Sequence, residues 1–220
     1  MPRIALIHAL AHSVEPANRA FARDWPEAER MNLLDDSLSA DLAQGGRGLD
    51  EAMHARFIAL GDYAVSTGAQ AILFTCSAFG PCIEAVARRH AGIPVLKPNE
   101  AMIEDAVRQP ERVGLLATFA PTLLSMPAEF PADARPDVEL AEGALPSLDE
   151  GNAEAHDAAI VAAALRLRGR GCGLIAIAQF SMARAAPAVA AACGLPVLTT
   201  VDSAIAAIRR RLGQECHPRG

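Results

Sequence analysis

The stretch AILFTCSAFGPCIEAVARRHAGIPVL, residues 71 to 96, returns in the second half of the chain as LIAIAQFSMARAAPAVAAACGLPVL, residues 174 to 198. A shift of 103 positions lays Gly68 on Gly171, Ala85-Val86-Ala87 on Ala188-Val189-Ala190, and Cys76 on Gln179. A slip of one residue then sets Gly92 to Leu96 against Gly194 to Leu198. The shared pentapeptide alone is a common helix-to-strand connection, since Gly suits the position after a helix and Pro follows naturally. Here strand, turn, helix and strand all recur in order, which predicts a duplicated architecture. Two similar halves related by a pseudo-twofold axis would bring the ends of their third strands to a common cleft.

The rest of the chain alternates in the same way. RIALIHAL and RMNLLDDSL are strand-like runs, and LDEAMHARFIALGDYAVSTGA carries apolar residues at helical spacing before QAILFTC begins. RVGLLATFAPT follows as a further strand, then an acidic loop rich in Pro and Asp from residue 127 to about 150. A long Ala-rich helix from Asn152 to Arg168, the strand GLIAIAQ, and a last strand and helix in LPVLTTVDSAIAAIRRRL complete the pattern. Apolar strands without polar alternation, separated by amphipathic helices, predict parallel sheets covered on both faces. The expected fold is therefore α/β with two pseudosymmetric lobes, each a parallel sheet flanked by helices. Residues 1–97 form the first lobe and 98–200 the second, with a C-terminal helix at 201–220 packing back on the first.

Composition narrows the function. A chain of 220 residues, 51% hydrophobic, has enough apolar surface for a folded core. Its net charge of −6 leaves no basic stripe for nucleic acid, and 4% aromatic content gives little for base stacking. No apolar run reaches roughly 18 residues, so no membrane span is expected. RIALIHALAH is too short for a secretory signal, which predicts a cytoplasmic protein. Cys76, Cys82, Cys172, Cys193 and Cys216 make no CxxC pair and have no His at zinc-finger spacing, so neither disulfides nor a metal is expected. The first strand is not followed by a Gly-rich phosphate loop, which counts against a doubly wound protein of another class, such as a flavodoxin-like or periplasmic-type binder; no cofactor is expected.

Ligands of open α/β sheets bind at the carboxyl ends of strands. Cys76 stands at such an end, between Thr75 and Ser77, with a helix beginning behind it. Free backbone amides and the positive end of the helix dipole would stabilise its thiolate, fitting it to move a proton or to attack an electrophilic carbon. Cys82, six residues on, falls inside the helix as a packing residue.

Four motifs, FTCSAFG at 74 to 80, GIPVLKPNEAM at 92 to 102, VGLLATFAPT at 113 to 122 and IAIAQFSMA at 175 to 183, together resemble the aspartate/glutamate racemase superfamily over most of the chain. That superfamily includes glutamate, aspartate and hydantoin racemases, maleate cis-trans isomerase and arylmalonate decarboxylase. The resemblance implies a cofactor-free site between two lobes, a small carboxylic acid or amino acid substrate, and commonly a homodimer. In the racemases, one cysteine from each lobe flanks the substrate α-carbon, one taking the proton and the other returning it. This sequence keeps the first, Cys76, and has Gln179 at the second. A carboxamide neither accepts nor donates a proton usefully near neutral pH, though it hydrogen-bonds a carboxylate or carbonyl. Cys172 precedes its strand and Cys193 ends the following helix, so neither replaces it simply.

Candidate site residues follow. His8, at the end of the first strand, is the nominated partner for Cys76, because its unperturbed pKa lies near neutrality; a satisfied structural histidine is the competing reading. His12 reads as a loop residue, and His156, on the long helix, as solvent-facing. For anion binding the candidates are Ser77 and Ala78 after Cys76, Thr118 and Thr122 after VGLLA, and Phe180 and Ser181 after Gln179. By resemblance, Thr118 matches a threonine that helps bind the substrate carboxylate. Asp35 and Asp36 either cap a loop or reach the cleft, and Phe79, Phe119, Phe180 and Met182 either line it or fill the core. The expected function is a cofactor-independent racemase or isomerase moving a proton at the carbon next to a carboxylate. A one-cysteine decarboxylase of malonate-type acids and a degenerate small-acid binding protein are the alternatives.

Overall fold

The computed structural model describes residues 1–44 and 48–214, so Cys216 lies outside the described residues. The chain divides into two compact units: Met1–Pro98 with the chain from Ala204 onward, and Asn99–Ser203. The first unit runs β1 (Arg3–His8), α1 (Val14–Asp24), β2 (Glu29–Leu34), α2 (Ser37–Gln44), α3 (Glu51–Ser66), β3 (Ala71–Phe74), α4 (Gly80–Arg89) and β4 (Val95–Leu96). Its four strands are all parallel, in the order β2-β1-β3-β4. Every residue of β3 and all of β1 after Arg3 are buried, which is why these strands read as unbroken apolar runs. Edge strand β2 is partly solvated. Asp50 caps α3, its carboxylate accepting from the Met53 amide at 2.9 Å. One face of the sheet is filled by Phe57 of α3, whose ring lies 5.3 Å from that of Phe74 and 4.9 Å from that of Phe79.

The second unit runs α5 (Glu100–Val107), β5 (Val113–Ala117), α6 (Ala120–Ser125), β6 (Asp137–Leu140), α7 (Ala144–Asp149), α8 (Ala153–Gly169), β7 (Leu174–Ile177), α9 (Ala186–Cys193) and β8 (Val197–Thr199). Its sheet is again parallel, in the order β6-β5-β7-β8. The last helix, α10 (Thr200–Arg211), then enters the first unit. There Arg209 donates to the Asp24 carbonyl at 2.8 Å and its guanidinium lies over the Trp25 ring.

The acidic stretch from residue 127 to 150 is not a plain loop, because it holds β6 and α7. β6 is only four residues long and lies at a sheet edge, and its Glu139 is paired with Arg166 of α8 and with Arg170 just after that helix, at 2.6 and 2.7 Å. A short charged edge strand lacks the apolar run by which the others are recognised.

The repeat is visible hydrogen bond by hydrogen bond. Gly68 (φ 85°) and Gly171 (φ 90°), which the 103-residue shift superposes, both hold the left-handed conformation that ends a helix. Behind each, the next amide reaches back five residues at 3.2 Å, Ala69 to the Ala64 carbonyl and Cys172 to that of Leu167. The following residue then joins the neighbouring strand, Gln70 to the Arg3 carbonyl at 2.8 Å and Gly173 to that of Arg112 at 2.9 Å. Glycine is needed at both positions because a Cβ is penalised there. These paired terminations fix where β3 and β7 start, and therefore which residue each strand delivers at its carboxyl end.

Candidate active site

In the first unit, β1 and β3 are adjacent, with Ile7 opposite Phe74, so His8 and Thr75 emerge side by side. His8 is fully buried. Its Nδ1 lies 3.0 Å from Thr75 Oγ1 and its Nε2 3.0 Å from Asn32 Oδ1. Asn32 Oδ1 also accepts from Asn18 Nδ2, and Asn32 Nδ2 donates back to Asn18 Oδ1, which fixes the Asn32 amide. Its oxygen can only accept, so His8 Nε2 carries the proton and Nδ1 accepts from the Thr75 hydroxyl. Burial holds the His8 pKa below its usual value, although the Asn32 hydrogen bond works the other way. His8 is thus a neutral imidazole with both nitrogens engaged, bracing the residue before Cys76.

Cys76 follows Thr75 with extended backbone (φ −123°, ψ 120°), heading a 3-10 turn at Ser77–Phe79 that passes into α4. It is half-buried. The Ala78 backbone amide and the Ser39 side chain of α2 are the neighbours that favour its thiolate. Burial nevertheless pushes the Cys76 thiol up, outweighing both. The thiolate expected from the turn is therefore not the resting species. A three-residue turn offers the sulfur one amide, and one amide with one hydroxyl does not offset its desolvation. What remains is a neutral thiol suited to delivering a proton. Ser39 was not nominated by the sequence, since it lies far from every motif. Ser77 is half-buried, Ala78 exposed, and Phe79 locked in the aromatic cluster.

In the second unit, β5 and β7 are adjacent, with Leu116 opposite Ile177. Gln179 heads a 3-10 turn at Phe180–Ala185 with backbone like that of Cys76 (φ −133°, ψ 142°). Its Oε1 accepts from the Thr118 amide at 2.6 Å and from the Thr118 hydroxyl at 3.1 Å. Thr122 is buried in α6, Phe180 and Met182 are buried in the core, Ser181 is half-buried, and Phe119 is 48% exposed. Of these aromatics, only Phe119 presents substantial surface to a ligand.

Other nominated residues are placed elsewhere. Asp35 is held in an ion pair with Arg56 at 2.8 Å and accepts from the Ser37 hydroxyl, so it anchors the start of α2. His156 is fully buried rather than solvent-facing, with Nδ1 2.8 Å from Asp157, which also pairs with Arg184 at 3.1 Å. Cys82, Cys172 and Cys193 are buried. Among the described residues, no group of three or more His, Cys, Asp or Glu side chains is placed to hold a metal ion, and no helix is long and apolar enough to cross a membrane. A groove of 610 Å³ in the second unit, lined by Leu123, Glu139, Ala159 and Arg166 among others, contains none of the candidates.

Residues 11–208 match the sequence model of the Asp/Glu/Hydantoin racemase family. Solved structures share the fold at low sequence identity. Allantoin racemase from Klebsiella pneumoniae superposes with a TM-score of 0.76 at 15% identity, over 97% of this chain and 88% of that one. Picrophilus torridus aspartate racemase gives 0.74 at 11% identity, over 99% and 96%. Arylmalonate decarboxylase gives 0.70 at 16% identity, over 99% and 96%. No curated protein matches the sequence.

Proposed function

The chain belongs to the Asp/Glu/hydantoin racemase family, and from that premise we propose that it is a cofactor-independent enzyme moving a proton at the carbon next to a carboxylate of a small acid or amino acid. Cys76 is the acid/base group. The observation that carries this reading is the setting of its sulfur: at the carboxyl end of β3, half-buried, with the Ala78 amide and the Ser39 side chain as neighbours that favour negative charge on it. Both interactions strengthen as negative charge develops on sulfur while a proton leaves it. The half-buried Ser77 and Ser181 are the candidate contacts for the substrate carboxylate, whereas Thr122 and Phe180 are buried. His8 serves by holding Thr75, and through it the Cys76 backbone.

One observation favours a second reading beside racemisation. Gln179 occupies the repeat position equivalent to Cys76 and has no exchangeable acid at neutral pH. A single neutral thiol suffices to quench the enolate left when a malonate-type acid loses CO₂, as that step needs one proton on one face. Single-turnover kinetics on wild type and Cys76→Ser with phenylmalonate and with amino acids of both configurations separate the two. CO₂ release that depends on Cys76 supports decarboxylation, and interconversion of enantiomers supports racemisation. Activity retained in Cys76→Ser would sink both.

A further inference from the structure

Gln179 is more than a missing thiol. A backbone N–H can only donate, so the 2.6 Å contact from the Thr118 amide requires an oxygen, and the Thr118 hydroxyl at 3.1 Å must donate to the same atom. The orientation of the Gln179 carboxamide is therefore settled by hydrogen bonding: Oε1 faces Thr118 and Nε2 points away from it. Two donors on one acceptor also fix the outer part of a flexible side chain that would otherwise sample several rotamers. Gln179 is half-buried, and among the described residues its side-chain hydrogen bonds run through Oε1. The Thr118 donors, nominated above for a substrate carboxylate, are already engaged.

We infer that Gln179 is a fixed hydrogen-bond donor, which offers its Nε2–H groups to a carboxylate oxygen of the ligand, and that Thr118 is the positioning residue that aims it. Recognition of the anion by Thr118 is thus indirect. A carboxylate oxygen accepts from an amide nitrogen at ordinary hydrogen-bond distance, and such a bond to a charged partner is stronger than a neutral one. The role differs from that of a thiol at this position: the carboxamide holds and polarises the acid but returns no proton to carbon.

The inference rests on the functional reading above only in taking the ligand to be a carboxylate, so its test reads binding rather than turnover. The probe is malonate, titrated into the ¹⁵N-labelled full chain at neutral pH, with the Gln179 side-chain amide and the Thr118 backbone amide followed by NMR. The expected result is a saturable shift of the Gln179 NH₂ pair while the Thr118 amide stays near its starting position, still bonded to Oε1. Gln179→Glu keeps an oxygen for Thr118 but replaces the donor with an anionic acceptor, and Gln179→Leu removes the donor without adding charge. Each should weaken malonate by about ten- to a hundredfold, with an unchanged pattern of backbone shifts elsewhere. Thr118→Val should weaken it less and give the two Gln179 amide protons averaged environments. Overturning results are a large Thr118 amide shift with release of Gln179, which would make the glutamine a displaceable plug; wild-type affinity in both Gln179 variants; or no saturation by about 10 mM. Cys76-dependent proton transfer measured on the same samples stands or falls separately.

Discussion

Thr75→Val tests how the turn that carries Cys76 is braced. Valine matches threonine in shape, so no cavity opens, and the change is confined to one hydroxyl. That hydroxyl lies 3.0 Å from Nδ1 of His8, and the two residues are 6% and 0% exposed. Its loss removes a hydrogen bond and leaves a buried ring nitrogen without its donor, at a combined cost of about 1–3 kcal/mol. Adding His8→Leu should restore part of this, because two apolar partners replace a half-satisfied pair, and the Asn32 oxygen left behind is exposed and still bonded to Asn18. The pH dependence has a definite sign. The His8 pKa is lowered by burial, so its contribution is intact above the unfolded value of about 6.5 and is lost as pH falls from there through the lowered folded value. His8→Leu should flatten that acid slope. The assay is urea denaturation at neutral and mildly acidic pH, comparing midpoints at constant m. A Thr75→Val protein within about 0.5 kcal/mol of wild type would refute the reasoning. So would a double variant no more stable than Thr75→Val alone.

Three further outcomes follow from the same structure. Gly61 sits where α3 meets α4, and a Cβ there would lie 2.6 Å from Val86 Cγ1, a buried β-branched side chain with little rotamer freedom. Gly61→Ala should therefore destabilise, because overpacking costs about 1–3 kcal/mol and the helix-propensity gain is only about 1 kcal/mol; Val86→Ala in the same chain should relieve it, as a thermal-unfolding cycle would show. Alkylation of Cys76 by iodoacetamide, referenced to Cys76→Ser, should have its pH midpoint above the ordinary thiol value of about 8.5, and Ser39→Ala should move it higher by removing a side chain that favours the thiolate. Asp50→Ala should cost about 1 kcal/mol through loss of the α3 cap, read by denaturant midpoint.

The repeat made the architecture legible because its signals are local: a glycine after a helix, an apolar run, a polar turn. Gly68 and Gly171 carry the same left-handed conformation and the same backward hydrogen bond. β6 escaped notice because four residues at an edge, held through a charged side chain, produce no apolar run. The burial of His156 has a signal in the sequence. His156, Ile160, Ala163, Ala164 and Leu167 are the buried residues of α8, and their spacing marks one helical stripe. The equivalent strand-end positions of Cys76 and Gln179 were legible, because the repeat sets them. The site was not legible in Ser39, nor in the bond between Thr118 and Gln179, which lie 61 residues apart. Nor was the charge state of Cys76, because the balance of desolvation against hydrogen bonds depends on how deeply the sulfur is packed.

The most direct test of the central claim is deuterium incorporation at carbon in D₂O, followed by NMR for wild type and Cys76→Ser across amino acids, hydantoins, aryl-malonates and maleate. The account predicts label that appears only with Cys76 present and, in a malonate-type acid, product of a single configuration, since Gln179 returns no proton. Label retained in Cys76→Ser, or absent with every acid in wild type, would contradict it.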